Sequence, residues 1–328
     1  MTGVRTETVT ADEADLRLDR WFKQHYPGLG HGALQRLLRT GQVRVDGKRA
    51  KGSTRLSPGA RLRLPPGVGD DLARARRPVA PIDPGAERDL RGRVLYRDAD
   101  LLAIHKPAGL AVQGGSGQVR HLDALLDALT FDAPERPRLV HRLDKATSGV
   151  LLLARTRRAA RLLAAAFRGH GIEKVYWALV VGLPRPDRGR IDLGLAKRHG
   201  PRGDKVVADA AAGRRAITDF ATVDHATNKV AWLALRPMTG RTHQLRAHCA
   251  ALGTPIVGDG KYGGAEAQVL GTLVAKRLHL HARSIALPHP ATGRPLEITA
   301  PLPPELIASW RGLGFEPSDY ADPFPEAD

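Results

Sequence analysis

Asp144 stands in the stretch His141-Arg142-Leu143-Asp144-Lys145-Ala146-Thr147-Ser148-Gly149, a polar loop set between apolar, strand-like runs. An aspartate in a loop is ordinarily a turn or cap residue. Here Arg142, Lys145, Thr147 and Ser148 surround it, and such groups can contact phosphates and bring a carboxylate against a polyanion that would otherwise repel it. A carboxylate so placed can act as a nucleophile or as a general base, and must stay ionised for either. The residues alone do not choose among these.

Other polar constellations exclude more than they suggest. Gly253-Thr254-Pro255-Ile256-Val257-Gly258-Asp259-Gly260-Lys261 has the glycine spacing of a phosphate-binding loop. Asp259 stands where that loop needs its lysine, and Tyr262 follows Lys261 in place of Ser or Thr, so nucleotide hydrolysis is not expected. His243 with His248, and His279 with His281, lack the H-E-x-x-H pattern and any cysteine pair, so no metal site is expected and packing or RNA contacts explain them better. The single cysteine, Cys249, offers no disulfide and reads as a small semi-buried side chain.

The elements that must position these residues fall into four stretches. In 13–66, Leu18, Trp21 and Phe22, then Leu34, Leu37 and Leu38, repeat the i, i+3, i+4 spacing of two short helices separated by Pro27 and Gly30. Gly41 stands where a helix end wants a left-handed residue, and Val43-Arg44-Val45 alternates into an Asp46-Gly47 turn, so a hairpin follows. Arg36 and Arg39 lie off the leucine stripe, and Arg44, Lys48, Arg49 and Lys51 extend a basic surface. Residues 67–90, rich in Pro, Gly, Asp and Arg without an apolar period, read as a linker. In 91–312, Val94-Leu95-Tyr96, Leu101-Leu102-Ala103-Ile104, Val150 to Ala154, Val175 to Val181, Phe220 to Val223, Val230 to Leu235, Leu278 to Leu280 and Leu296 to Ile298 read as short strands, and Arg157 to Phe167 as a helix stopped by Gly169. Without strict strand–helix alternation, this is an α+β domain on a mixed, mainly antiparallel sheet. Residues 313–328, acidic and Pro-containing, read as a frayed tail.

Across 328 residues, Lys and Arg number 51 against 34 Asp and Glu, a formal charge of +17, so polyanions are the natural partners. No apolar run approaches a membrane span, and the first residues lack a signal-peptide core, so a cytoplasmic protein is expected.

The loop around Asp144 resembles the signature of the RluA-type pseudouridine synthases. His105-Lys106-Pro107-Ala108-Gly109-Leu110-Ala111-Val112, Glu173 to Gly182, Thr239-Gly240-Arg241-Thr242-His243-Gln244-Leu245-Arg246-Ala247-His248, Gly253 to Gly263 and Leu278 to Ala282 resemble that family in its order. The two basic helices followed by Gly41 to Lys48 and Arg61 to Pro66 resemble the S4 RNA-binding domain. The likeness spans Leu16 to about Pro303. It implies an isomerase without cofactor or metal, in which Asp144 helps detach uracil from its ribose so that the ring can reattach through carbon. It further implies that Arg241 pairs with Asp144, with Arg246 the next candidate. Tyr176 would stack on the target base and help remove the ring proton, and Arg142 would fill the gap left by a flipped nucleotide. His141, Lys145, Thr147, His243, Gln244 and Arg246 would contact RNA beside Arg36, Arg39, Arg44 and Lys48. The run Gly114-Gly115-Ser116-Gly117 looks most like the C-type members that act on 23S rRNA, so the expected partner is that RNA or a ribosomal assembly intermediate, with no membrane and no obligate protein partner. A tRNA-directed synthase and a non-catalytic RNA-binding protein are the alternatives. Two positions depart from the pattern, Gln113 where His is common and Gly194 where Pro is common.

Overall fold

The computed structural model describes residues 4–26, 28–68, 84–114, 120–169, 171–198, 205–209, 211–268 and 273–324. Of the glycine run tied to 23S rRNA, residues 115–117 lie outside the described residues, as do 69–83 of the expected linker. The chain divides after Ile82 into two compact units.

The first unit holds β1 (Arg5–Thr8), α1 (Leu18–His25), α2 (His31–Arg39), β2 (Arg44–Val45), β3 (Lys48–Arg49) and β4 (Arg61–Leu64). Its strands form an antiparallel sheet in the order β1-β4-β2-β3. Leu18, Trp21 and Phe22 of α1 and Leu34 and Leu38 of α2 pack with Leu62 and Leu64 of β4 into one core. The spacing that marked the helices is the spacing they bury. Gly41 (φ 70°), Asp46 (φ 48°) and Gly47 (φ 77°) take left-handed conformations, which end α2 and reverse the β2–β3 hairpin. Arg36, Arg39 and Lys48 are exposed, whereas Arg44 is half-buried. Its guanidinium donates to the carbonyls of Gly41 at 3.2 Å and Gly47 at 3.1 Å, so it braces the turn.

The second unit begins with α3 (Pro84–Arg91), β5 (Val94–Arg97), β6 (Leu101–Lys106), α4 (Leu122–Leu125), β7 (Arg138–Leu139) and β8 (Ser148–Ala154). It continues through α5 (Arg157–Ala166), β9 (Glu173–Val181), β10 (Arg188–Arg198), β11 (Lys205–Ala208), β12 (Arg214–Ala226) and β13 (Val230–Pro237). It closes with α6 (Gln244–Ala251), β14 (Leu280–Pro288), β15 (Pro295–Thr299) and α7 (Pro304–Gly312). Eleven strands form one sheet in the order β11-β10-β12-β13-β9-β14-β8-β6-β5, with β15 added on β14 and β7 on β8. The β14–β8 pair is parallel and the other described pairings are antiparallel, which matches the mixed, mainly antiparallel sheet expected from the sequence. Every residue of β8 is buried. Thr156 caps α5 by accepting from the Ala159 amide at 3.1 Å, and Ala159 and Leu163 pack beside Val150, Leu152 and Ala154 of β8.

Two stretches differ from the sequence reading. Helix α3 lies in the stretch taken as linker: its one deep anchor is Leu90, packed with Leu102 and Ile104, and a single apolar residue makes no period. The tail is also packed. Phe315 is buried, and Tyr320 lies 4.7 Å from the Trp177 ring, so isolated aromatics hold a segment whose composition signals fraying. At the departure noted at Gly194, a Cβ would stand 2.5 Å from the Asp209 carbonyl oxygen, so the glycine lets the chain after β11 approach β10.

Candidate active site

The loop between β7 and β8 carries Asp144 into a cleft of about 670 Å³. Leu143 turns the other way into the core with Leu102, Leu122 and Leu151. The turn closes where the Thr147 amide donates to the Asp144 carbonyl at 3.1 Å. Beneath it, the Lys106 ammonium is fully buried and donates to the carbonyls of Pro107 at 2.8 Å, Leu110 at 2.9 Å and Lys145 at 3.4 Å. Burial pulls the Lys106 pKa down to about 7, and the Asp144 charge opposes that fall. Ser148 Oγ lies 2.9 Å from His281 Nδ1. At Gly149 (φ 117°) an added Cβ would fall 2.1 Å from the Ala282 carbonyl oxygen, so only glycine permits the parallel approach of β8 to β14.

Two further elements face Asp144. Tyr176 projects from β9, and burial, followed by the Asp144 charge, pushes its phenol above the ordinary range; it holds its proton in the resting site. His243 Nε2 lies 3.9 Å from Asp144 Oδ2, beyond a hydrogen bond but within direct electrostatic reach. His243 sits in a left-handed conformation (φ 52°) ahead of α6, and its Nδ1 is 2.8 Å from the Tyr262 hydroxyl. The Val206 amide donates to that hydroxyl at 3.2 Å, so Tyr262 ties His243 to β11. Burial pulls the His243 pKa down against the opposing pull of Asp144.

Several residues named from the sequence are spent elsewhere. Arg241 Nε donates to the Arg215 carbonyl at 3.1 Å, and Arg246 grips Asp259 through two bonds of 2.7 and 2.6 Å. Among the described residues neither forms the expected ion pair with Asp144. Asp259 also accepts from the amides of Lys261 and Tyr262, so the failed phosphate-loop motif is a carboxylate-centred turn that fixes an arginine. Gln244 is buried: its Oε1 accepts from Thr239 Oγ1 at 2.7 Å and the Arg241 amide at 3.0 Å, and its Nε2 donates to the Ile217 carbonyl at 2.8 Å and Thr218 Oγ1 at 2.9 Å. Nothing is left over for RNA. His141 accepts from the Leu152 amide at 2.8 Å, stacks on Phe167 and is pushed down to about 3 by burial, so it anchors the loop as a neutral ring. Thr147 is buried as well. Arg142 and Lys145 remain exposed.

Lys106 and Tyr262 are the residues that sequence reasoning passed over. The signal for Lys106 was present, since a lysine ending the apolar run Leu101–Ile104 must find partners indoors. Of the four histidines read as packing or RNA-contact residues, His248, His279 and His281 are buried, with His248 Nδ1 2.9 Å from Thr218 Oγ1 and His279 Nε2 3.0 Å from Ser309 Oγ, whereas His243 lines the cleft.

Residues 100–251 match the family described as RNA pseudouridylate synthase. The chain is 35% identical over 309 residues to "Ribosomal large subunit pseudouridine synthase C" of Salmonella typhi, across 93% of this chain and 95% of that protein. The chain belongs to the RNA pseudouridylate synthase family. It is an RluA-type enzyme and an isomerase. It is also 38% identical to "RNA pseudouridine synthase 4, mitochondrial" of Arabidopsis thaliana, over 74% of this chain and 59% of that protein. Among solved structures, "Human RNA Pseudouridylate Synthase Domain Containing 4" superposes with a TM-score of 0.59 at 30% identity, covering 70% of this chain and 96% of that one. Asp144 and Glu173 both line the cleft; Glu173 is exposed, whereas Asp144 is half-buried among polar groups that the fold itself holds.

Proposed function

We propose that this synthase converts uridines of large-subunit ribosomal RNA to pseudouridine in the cytoplasm, with Asp144 as the catalytic carboxylate. The N-glycosidic bond to C1′ breaks, the ring turns, and its C5 takes the vacated place while the C5 proton leaves and N1 gains one. No electrons change hands and no cofactor is required. Tyr176 supplies an aromatic face beside Asp144 for the flipped uracil. Its phenol keeps its proton in the resting site, so its first role is stacking. Arg142, exposed two residues before Asp144, fills the space the base vacates, and Lys145 meets phosphates.

The first unit, with Arg36, Arg39 and Lys48 exposed, serves as an S4-like foothold on a large folded RNA. The observation that carries the reading is the convergence of Asp144, Tyr176 and His243 on one cleft in a chain matched over 93% of its length by a protein named for the large ribosomal subunit. A strain lacking the enzyme, supplied with wild type or Asp144→Ala, tests it by carbodiimide mapping of pseudouridine across rRNA and tRNA. Sites in 23S rRNA that return only with wild type support the reading. Sites confined to tRNA would move the substrate, and sites independent of Asp144 would remove the carboxylate's role.

A further inference from the structure

Helix α5 follows the catalytic loop through β8 and carries Arg157, Arg158 and Arg161 with no acidic residue. Arg158 and Arg161 lie one turn apart, and Arg168, in the turn after the helix, continues the same side. All three are exposed. Two of the cleft's other arginines are held by carboxylates, Arg246 by Asp259 at 2.6 Å and Arg236 by Asp219 at 3.4 Å. Arg157 itself reaches Glu135 at 3.2 Å. Arg158, Arg161 and Arg168 form no ion pair among the described residues. Arg158, in the first turn of the helix, opposes the helix dipole, so helix stability does not account for it.

The row also has a direction. Arg168 lines the cleft with Arg142 and Lys174, and Arg158 stands ten residues earlier, about 15 Å back along the helix. That is the span of several nucleotides. We infer that Arg158, Arg161 and Arg168 form a phosphate track along which RNA flanking the target uridine enters the cleft. The inference rests on the RNA substrate proposed above and adds the path that RNA takes.

The test measures binding of an unmodified 23S rRNA transcript to the full-length protein over a range of salt concentrations. The doubles Arg158→Gln/Arg161→Gln, Arg158→Lys/Arg161→Lys and Arg294→Gln/Arg311→Gln are compared with wild type. Each lost single-strand phosphate contact lowers the slope of log K against log salt by about 0.7, so the first double is expected to lose about 1.4 and bind severalfold more weakly. The lysine double, which keeps both charges, retains the slope, and the last double, two exposed arginines elsewhere, leaves it unchanged. A wild-type slope and affinity in the first double would overturn the track, and so would an equal loss in the Arg294/Arg311 control. If wild type modifies the transcript while the track variants bind normally, only this inference fails; if wild type modifies no RNA, the functional reading fails first.

Discussion

Two loops face each other across the cleft and are held by different means. The β7–β8 loop, which carries Asp144, is held from below by a buried ammonium at Lys106, by Ser148 on His281 and by a glycine that lets two strands touch. The loop from Met238 to His243 is held by a neutral amide, Gln244, whose four bonds tie Thr239, Arg241, Ile217 and Thr218 together. A cation suits the first loop because it also lies within the field of the Asp144 carboxylate. An amide suits the second because it must donate and accept at once. In both, the bracing group is buried, while Arg142 and Lys145 in one and Thr242 in the other are exposed.

Substitution can break each loop separately. The largest effect is expected from Gly149→Ala, whose methyl meets Ala282 backbone atoms at 2.1 to 2.7 Å. It should cost at least about 3 kcal/mol and leave little folded protein, as read by thermal melting and soluble yield. Lys106→Met divides stability from activity. It removes a charge that is costly to bury and also the donor to three carbonyls, so melting should move by less than about 2 kcal/mol. Single-turnover activity should fall about 100-fold as the Asp144 loop loses its floor. Gln244→Leu should cost about 1–3 kcal/mol through acceptors and donors left unpaired, and raise KM more than it lowers kcat.

Acid strikes both loops, since His281 lies under the first and His248 shares Thr218 with Gln244 in the second. Burial holds His281 at about 3 and His248 at about 4, below the ordinary 6.5. The unfolded chain therefore binds protons that the folded chain refuses once pH drops below 6.5. Stability present at neutral pH is lost as pH falls toward 4, by about 1.4 kcal/mol per pH unit for each ring. Melting curves between pH 7 and pH 5 check this, and a flat profile would mean that the rings titrate normally.

What could be read in the sequence was what local pattern records. The apolar run Val150–Ala154 is the buried heart of β8 and Asp46-Gly47 is the hairpin turn; Asp144, Tyr176 and His243, singled out by the family resemblance and not by local pattern, share a cleft. What escaped was which polar groups consume one another. Gln244 finds Ile217 across 27 residues and Ser148 finds His281 across 133, separations that no periodicity reports. The same blindness placed Arg241 on Asp144, when its guanidinium is engaged by the Arg215 carbonyl. In the tail, Phe315 and Tyr320 reach a tryptophan cluster assembled from β9, β13 and α7, which exists only once the sheet has formed.

The central claim is that a single ionised carboxylate, held by groups that do not react, carries the chemistry. Asp144→Asn tests it most directly, because it keeps the shape of the loop and removes the charge. Purified Asp144→Asn and wild type would be compared in single-turnover conversion of unmodified 23S rRNA transcript, with melting and RNA affinity measured on the same samples. A rate at least about 1,000-fold lower, with melting and RNA affinity close to wild type, is the expected result. Pseudouridine formed at a comparable rate by the folded, RNA-bound variant would contradict it.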